Sequence, residues 1–213
     1  MRNNSINNFF LQHYQFFSVN ILMDRVDENE QIRLVIEKVL QGDVNSFSYL
    51  VEKYNKLVAH IVFRMIYNQT DREDICQDIF LKVYQNLPQF RGESKMSTWI
   101  GKISYNCCLN YINRKKPVVK NQSSQEWEEM HTEIPDPGWQ TEQDDRFNRI
   151  RTEIEKLPVQ YRAILTLYHL EGMSYHEIGE VMNLPEGTVK SYLYRARQQL
   201  KEELSHKYQI QDL

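Results

Sequence analysis

The stretch Ser174 to Lys201, SYHEIGEVMNLPEGTVKSYLYRARQQLK, constrains the chain most tightly, because it carries two helices, a fixed break between them and a basic face on the second. Ser174 followed by Glu177 has the spacing of a capping box, so a helix is predicted to begin there. Ile178, Val181 and Met182 give that helix an apolar side. Asn183, Leu184, Pro185 and Gly187 then interrupt the pattern, and Pro185 suits the first turn of a second helix. The second helix is predicted to run to about Leu204, with Val189, Leu193, Ala196, Leu200 and Leu204 spaced as one buried stripe. Lys190, Ser191, Tyr194, Arg195, Arg197, Gln198 and Lys201 face away from it, and no acid occurs between Thr188 and Lys201. A helix of that kind fits the major groove of duplex DNA.

The net charge of −3 is unusual for a DNA binder until it is divided along the chain. Residues 31–116 carry +5, residues 117–145 carry −7, residues 146–213 carry +1 and residues 1–30 carry −2. The acidic segment also contains Pro117, Pro135, Pro137 and Gly138 and has almost no helical apolar period, as expected of a linker. The expected fold is therefore all-α: two small helical domains joined by an acidic flexible linker, the C-terminal one a helix-turn-helix. The expected boundaries are a tail over 1–30, a helical domain over 31–116, the linker over 117–145, the helix-turn-helix domain over 146–206 and a short tail over 207–213. Met23 precedes the charged segment DRVDENEQ and is a candidate alternative start to Met1.

In the amino-terminal domain, Asp43 is placed to cap a helix carrying Phe47, Leu50, Val51, Tyr54, Leu57, Val58, Ile61, Val62 and Met65 at steps of three and four. Thr70 and Glu73 offer a second capping box, opening a helix with Ile75, Ile79, Phe80, Val83, Tyr84 and Leu87 on its apolar side and Pro88 at its end. Asp71, Glu73, Asp74, Gln77 and Asp78 crowd its first turns. Acids there are favoured by the helix dipole, and they also suit a docking surface. The next segment interleaves aromatics and bases: Phe90, Trp99, Tyr105 and Tyr111 beside Arg91, Lys95, Lys102, Arg114, Lys115 and Lys116. Stacking faces and phosphate neutralisation are what single-stranded DNA requires, although Trp99, followed by Ile100 and Ile103, also reads as packing. Asn106 carries an amide able to read a base edge. In the carboxy-terminal domain Phe147, Ile150, Ile154 and Leu157 make a first helix, and Pro158 opens a second with Tyr161, Ile164, Leu165, Tyr168 and Leu170.

Other chemistries find little support. Cys76, Cys107 and Cys108 lack the spacing of a zinc pair, and the pattern around Cys107 and Cys108 makes them small hydrophobes in a reducing, cytoplasmic setting. His13, His60, His131, His169, His176 and His206 have no close metal-ligand spacing, and no glycine loop for phosphate is present. No catalytic residue, cofactor or metal is expected, and no run of apolar residues is long enough to insert in a membrane.

Three blocks, DREDICQDIFLKVYQNL, FRGESKMSTWIGKISYNCCLNYINRKK and LPVQYRAILTLYHLEGMSYHEIGEVMNLPEGTVKSYLYRARQQL, with the acidic joint between the second and third, resemble the extracytoplasmic-function group of sigma factors over about residues 31–206. The resemblance implies a promoter-recognition subunit that binds core RNA polymerase, directs it to a two-part promoter and assists strand opening. It implies that Asp74, Gln77, Asp78 and Phe80 dock on the polymerase. Phe90, Arg91, Ser94, Lys95, Asn106 and Arg114 would serve the minus-ten element, with a flipped base captured on binding. Lys190, Ser191, Tyr194, Arg195 and Arg197 would read the minus-thirty-five element, and Tyr192 stands where the family commonly carries a basic residue. The acidic joint would thread toward the polymerase active centre. A sequestering anti-sigma partner is common in the family, and monomeric action is implied with it. The alternative is a stand-alone helix-turn-helix regulator binding duplex as a dimer, which leaves residues 90–116 without a task.

Overall fold

A computed structural model describes residues 30–115 and 145–207, and among them every regular element is helical. The tail, the Met23 start, Lys116, most of the acidic joint and the last six residues lie outside the described residues. Two compact units are present, one ending at Lys53 and the other beginning at Tyr54.

In the first unit a helix over 30–40 (α1) buries Ile32, Ile36 and Val39. Asp43 then caps a short 3-10 turn, Val44–Ser46: its Oδ1 accepts from the backbone N–H groups of Asn45 and Ser46 at 3.1 and 3.4 Å. That turn runs into α2, Phe47–Met65, whose first turns complete the unit. The expected apolar stripe is observed, with Leu50, Tyr54, Leu57, Val58, Ile61, Val62 and Met65 buried.

In the second unit α3 spans Gln69–Asn86 and α4 spans Met96–Lys115. The start of α3 departs from expectation. Asn68, in extended conformation, caps it by accepting from Thr70 N–H at 3.0 Å, so Thr70 lies inside the helix and its box with Glu73 does not form. Either residue can cap; the turn after α2 brings Asn68 to the position first. Ile75, Ile79, Val83 and Leu87 are buried as expected, and Pro88 sits in a 3-10 turn, Leu87–Gln89, that ends the helix.

The carboxy-terminal helices are α5, Asp145–Lys156, α6, Val159–Leu165, α7, Tyr175–Met182, and α8, Glu186–Lys207. Helix α6 continues through π-type turns over Thr166–Leu170, closed by Glu171 N–H donating to Thr166 O at 3.1 Å. Helix α4 packs on α3 and on α7, and α8 packs on α5, α6 and α7. Ile164, Leu167, Ile178, Val189 and Leu193 are essentially fully buried. Leu170, by contrast, is 55% exposed, because the wider π turns rotate it off the apolar side expected for it.

A buried carboxylate ties the end of α8 to α5. Glu153 accepts from Lys156 Nζ and Lys207 Nζ, each at 2.8 Å. Burial pushes its pKa up, but the two ammonium groups outweigh that, and the net result lies below the ordinary value of 4.5. A carboxylate whose folded pKa is depressed contributes stability above its unfolded value and loses it as pH falls through the folded one. Thermal melting is therefore expected to decline as pH drops below about 4.5, with Glu153→Gln removing part of that dependence. An unchanged pH profile in the variant would remove the assignment.

Candidate nucleic-acid interface

The helix-turn-helix is built as its residues dictate. Ser174 Oγ accepts from Glu177 N–H at 3.3 Å, and Glu177 Oε2 accepts in return from Ser174 N–H at 2.8 Å. Asn183 ends α7 in the left-handed region at φ 55°, where its short polar side chain is tolerated. Leu184 N–H then donates to Gly179 O at 2.9 Å. The turn passes so close to α7 that a Cβ at Gly179 would lie 2.7 Å from Leu184 O, so only glycine fits. The hinge between the two helices is thus fixed by Gly179 and Asn183 together.

On α8 the stripe Val189, Leu193 and Ala196 is buried. Leu200 and Leu204 are half-buried and line an open groove of about 620 Å³ with Ile150, Ile154 and Leu165. The opposite face carries Lys190, Ser191, Tyr194, Arg195 and Arg197, all exposed. Their surroundings differ. Lys190 Nζ lies 5.5 Å from the centroid of Tyr175, a cation over an aromatic face. The Ser191 hydroxyl donates to Gly187 O at 2.9 Å, leaving its oxygen to accept from a ligand. Tyr194 is 64% exposed, and Gln198 Nε2 donates to its hydroxyl at 3.1 Å. Arg197 turns to the groove, its guanidinium 5.0 Å from the Tyr168 centroid and its Nε 3.3 Å from His169 Nε2. Burial first and Arg197 second hold His169 below the usual histidine range, so the ring is a neutral acceptor for the guanidinium at pH 7. Tyr192 is half-buried, its ring 5.9 Å edge-on from Tyr161, and so packs inward.

Helix α4 and the loop before it hold the second set. Arg91, Lys95, Asn106 and Arg114 are exposed, and Phe90 and Ser94 are half-buried. Phe90 packs on Trp99 with centroids 5.2 Å apart, which accounts for Trp99 as packing. Lys95 Nζ is paired with Glu177 Oε1 at 2.6 Å. Asn106 lies with Lys102, Asn110 and Asn113 along one exposed side of α4, while Arg114 stands about 27 Å from the loop along the axis. The structure thus groups Phe90, Arg91, Ser94 and Lys95 at one end of α4 and leaves Arg114 at the other. Two aromatics expected as stacking platforms are occupied. Tyr105 is 5% exposed, its hydroxyl pushed up to about 12 by burial. Tyr111 donates to Asp71 Oδ2, which also takes Lys115 Nζ at 2.6 Å. Asp71 is therefore held within the fold, whereas Asp74, Gln77 and Asp78 form an exposed side of α3, with Phe80 half-buried beside them.

Periodicity concealed two buried cations. Arg72 Nε donates to Ile66 O at 2.8 Å with its guanidinium 5.0 Å from the Phe63 centroid. Arg162 donates to Arg64 O at 2.6 Å, Leu157 O at 2.7 Å and Glu155 O at 3.0 Å, and to the Tyr67 hydroxyl. Burial draws its pKa down, yet the ordinary value is so high that it stays a cation.

Comparison with known proteins agrees with this construction. The family model for Sigma-70 region 2 matches residues 50–118, and that for Sigma-70, region 4 matches residues 147–200. The chain is 32% identical over 180 residues to the ECF RNA polymerase sigma factor SigW of Bacillus subtilis, covering 81% of this chain and 96% of that protein. It is 33% identical over 173 residues to the ECF RNA polymerase sigma-E factor of Escherichia coli K12, covering 78% and 90%. Among solved structures, the sigma factor RpoE in complex with the anti-sigma factor NepR from Bartonella quintana aligns with TM-score 0.58 at 19% identity, covering 78% of this chain and all of that one. Two family models in the order the helices require, and relatives matched almost end to end, leave one assignment: the chain belongs to the extracytoplasmic-function sigma factors of the sigma-70 family and is a transcription initiation factor.

Proposed function

We propose that three surfaces divide the work of promoter recognition in this chain. The exposed side of α3, with Asp74, Gln77, Asp78 and Phe80, docks on core RNA polymerase. Phe90, Arg91, Ser94, Lys95, Asn106 and Arg114 take the minus-ten element as it opens, and Lys190, Ser191, Tyr194, Arg195 and Arg197 read the minus-thirty-five element. The carrying observation is the exposed basic face of α8, held on a capped and glycine-fitted helix-turn-helix. Functional division into 31–116 and 146–206, with 117–145 as the acidic joint, follows from the same reading. So do a cytoplasmic location, where polymerase and chromosome meet, action as a monomer, and control by a sequestering anti-sigma partner. No chemistry is catalysed by the protein itself; base extrusion is driven by binding energy.

The test is in vitro transcription from a genomic promoter library by core polymerase with and without the protein. Discrete new start sites sharing two spaced elements are expected, and duplex binding by the protein alone without new starts would favour the stand-alone regulator. The docking surface has its own prediction. Asp74→Asn with Asp78→Asn is expected to weaken assembly with core polymerase about tenfold, roughly 1.4 kcal/mol, chiefly at low salt. Equal affinity of the double variant by fluorescence titration would exclude a docking role for those carboxylates.

A further inference from the structure

Two cations of α8 rest on a pair of aromatic rings supplied by the segment before the helix-turn-helix. The chain runs in π-type turns over Thr166–Leu170, Gly172 takes a positive φ of 63°, and Met173 N–H donates back to Leu167 O at 3.0 Å. Doubled back in this way, Tyr168 and Tyr175, both half-buried, stack with ring centroids 5.5 Å apart and planes 14° from parallel. Each ring also carries a cation. Lys190 Nζ lies 5.5 Å from the Tyr175 centroid and the Arg197 guanidinium 5.0 Å from the Tyr168 centroid, so Lys190, Tyr175, Tyr168 and Arg197 form one continuous row. His169 closes the far end: its ring meets Tyr168 edge-on at 4.9 Å and its Nε2 accepts from Arg197 Nε and Nη2 at 3.3 and 3.2 Å, which leaves Nη1 to donate to an anion.

The place of this row on α8 decides what it can meet. At about 100° per residue, Lys190 and Arg197 share one flank of the helix, roughly 10 Å apart along its axis and about a quarter turn from the buried Val189, Leu193 and Ala196. Ser191, Tyr194 and Arg195 lie further round, on the side away from the core. A helix about 10–12 Å across fills a major groove about 12 Å wide, so its outward side faces base edges and its flanks face the phosphate walls. The first helix of such a motif crosses the backbone, and Tyr175 opens that helix here. A cation already seated on a ring has less freedom to lose when it meets a phosphate.

Building on the assignment of α8 to the minus-thirty-five element, we propose that Tyr168 and Tyr175 are positioning residues for DNA binding, whose stack sets Lys190 and Arg197 against the phosphates of one groove wall. Arg197 then holds the strand, and base reading is left to Ser191, Tyr194 and Arg195.

A double-variant cycle tests the row on promoter duplexes bound by the full chain with core polymerase. Tyr168→Leu is expected to weaken binding about threefold, equally for duplexes varied one base pair at a time, and to have no further effect once Arg197→Ala is present. Tyr175→Leu is expected to depend on Lys190 in the same way. Tyr168→Phe and Tyr175→Phe keep the rings and recover most of the loss. Arg197→Ala itself is expected to weaken every duplex alike and to lower the salt slope by about one. An equal loss from Tyr168→Leu with and without Arg197, or no loss in either background, would make the stack ordinary packing and overturn the proposal. A change of preference at one base pair in Arg197→Ala would also overturn it, and this exposed site reports even where a leucine variant melts below the assay temperature. If the unaltered protein with core polymerase shows no promoter-specific binding, the assignment of α8 fails; specific binding without coupling removes only the row.

Discussion

Arg162→Ala is expected to lower stability by about 3–5 kcal/mol, the cost of leaving several oxygens without their buried donor at about 1–3 kcal/mol each. The guanidinium donates to three main-chain carbonyls, those of Arg64, Glu155 and Leu157, and to the Tyr67 hydroxyl, and it sits 4.5 Å from the Tyr67 ring centroid. Arg64 lies in the last turn of α2, where carbonyls lack helical partners and the dipole favours a cation. Truncation leaves those oxygens without their donor and removes the positive charge nearest them. Arg162→Lys keeps the charge but replaces a planar fork by a point donor, so it recovers only part of the loss. Denaturant melts of the three proteins, read as midpoint shifts at constant slope, measure this directly. A loss below about 1 kcal/mol for the alanine variant would mean that water replaces the guanidinium at little cost.

Arg162 also marks where sequence stops being informative. Its carbonyl partner on Arg64 is 98 positions away in the chain, and its neighbours Ile164 and Leu165 carry the helical signal, so nothing local separates it from a surface arginine. Arg72 is hidden in the same way between Asp71 and Glu73, where any reading by residue type puts it in solvent. The helices themselves were legible because apolar steps of three and four are a property of each segment alone: the stripes of α2, α3 and α8 and the box at Ser174 all follow from near neighbours. Errors arise where tertiary packing or turn geometry decides. Asn68 displaces Thr70 as the cap of α3, and the π turns after α6 carry Leu170 outward.

The binding surfaces divide similarly. Which α8 residues face outward follows from its period, but which of them are already engaged does not. Arg197 belongs to the same face as Lys190 by spacing, yet Tyr168 and His169, brought in by the π turns, draw it to the groove. Tyr192 packs edge-on against Tyr161, which gives it a structural occupation. Tyr105 and Tyr111 looked like stacking platforms because aromatics and bases alternate around them. Burial of one and the Asp71 bond of the other are tertiary facts.

The reading role proposed for α8 carries a distinct expectation for each of its exposed cations. Arg195→Ala should reduce promoter affinity of the polymerase complex by about 1–3 kcal/mol and relax selectivity at one position of the minus-thirty-five element, the signature of a lost base contact. Arg195 is exposed on α8 between Tyr194 and buried Ala196, without the ring and imidazole contacts that hold Arg197. Lys190→Ala should behave differently. Lys190 is poised over Tyr175 near the helix start, and an ammonium there suits a phosphate, so its loss should weaken all promoters alike and reduce the salt slope by about one. Affinity measured across salt concentrations on duplexes varied one base pair at a time separates the two cases. Uniform weakening in Arg195→Ala, with every base preference intact, would make Arg195 a phosphate contact and leave the sequence reading of α8 to Ser191 and Tyr194. Ser191, its proton given to Gly187 O, offers an oxygen to donor edges in the groove, and Tyr194, its oxygen accepting from Gln198, keeps an O–H to give to acceptor edges.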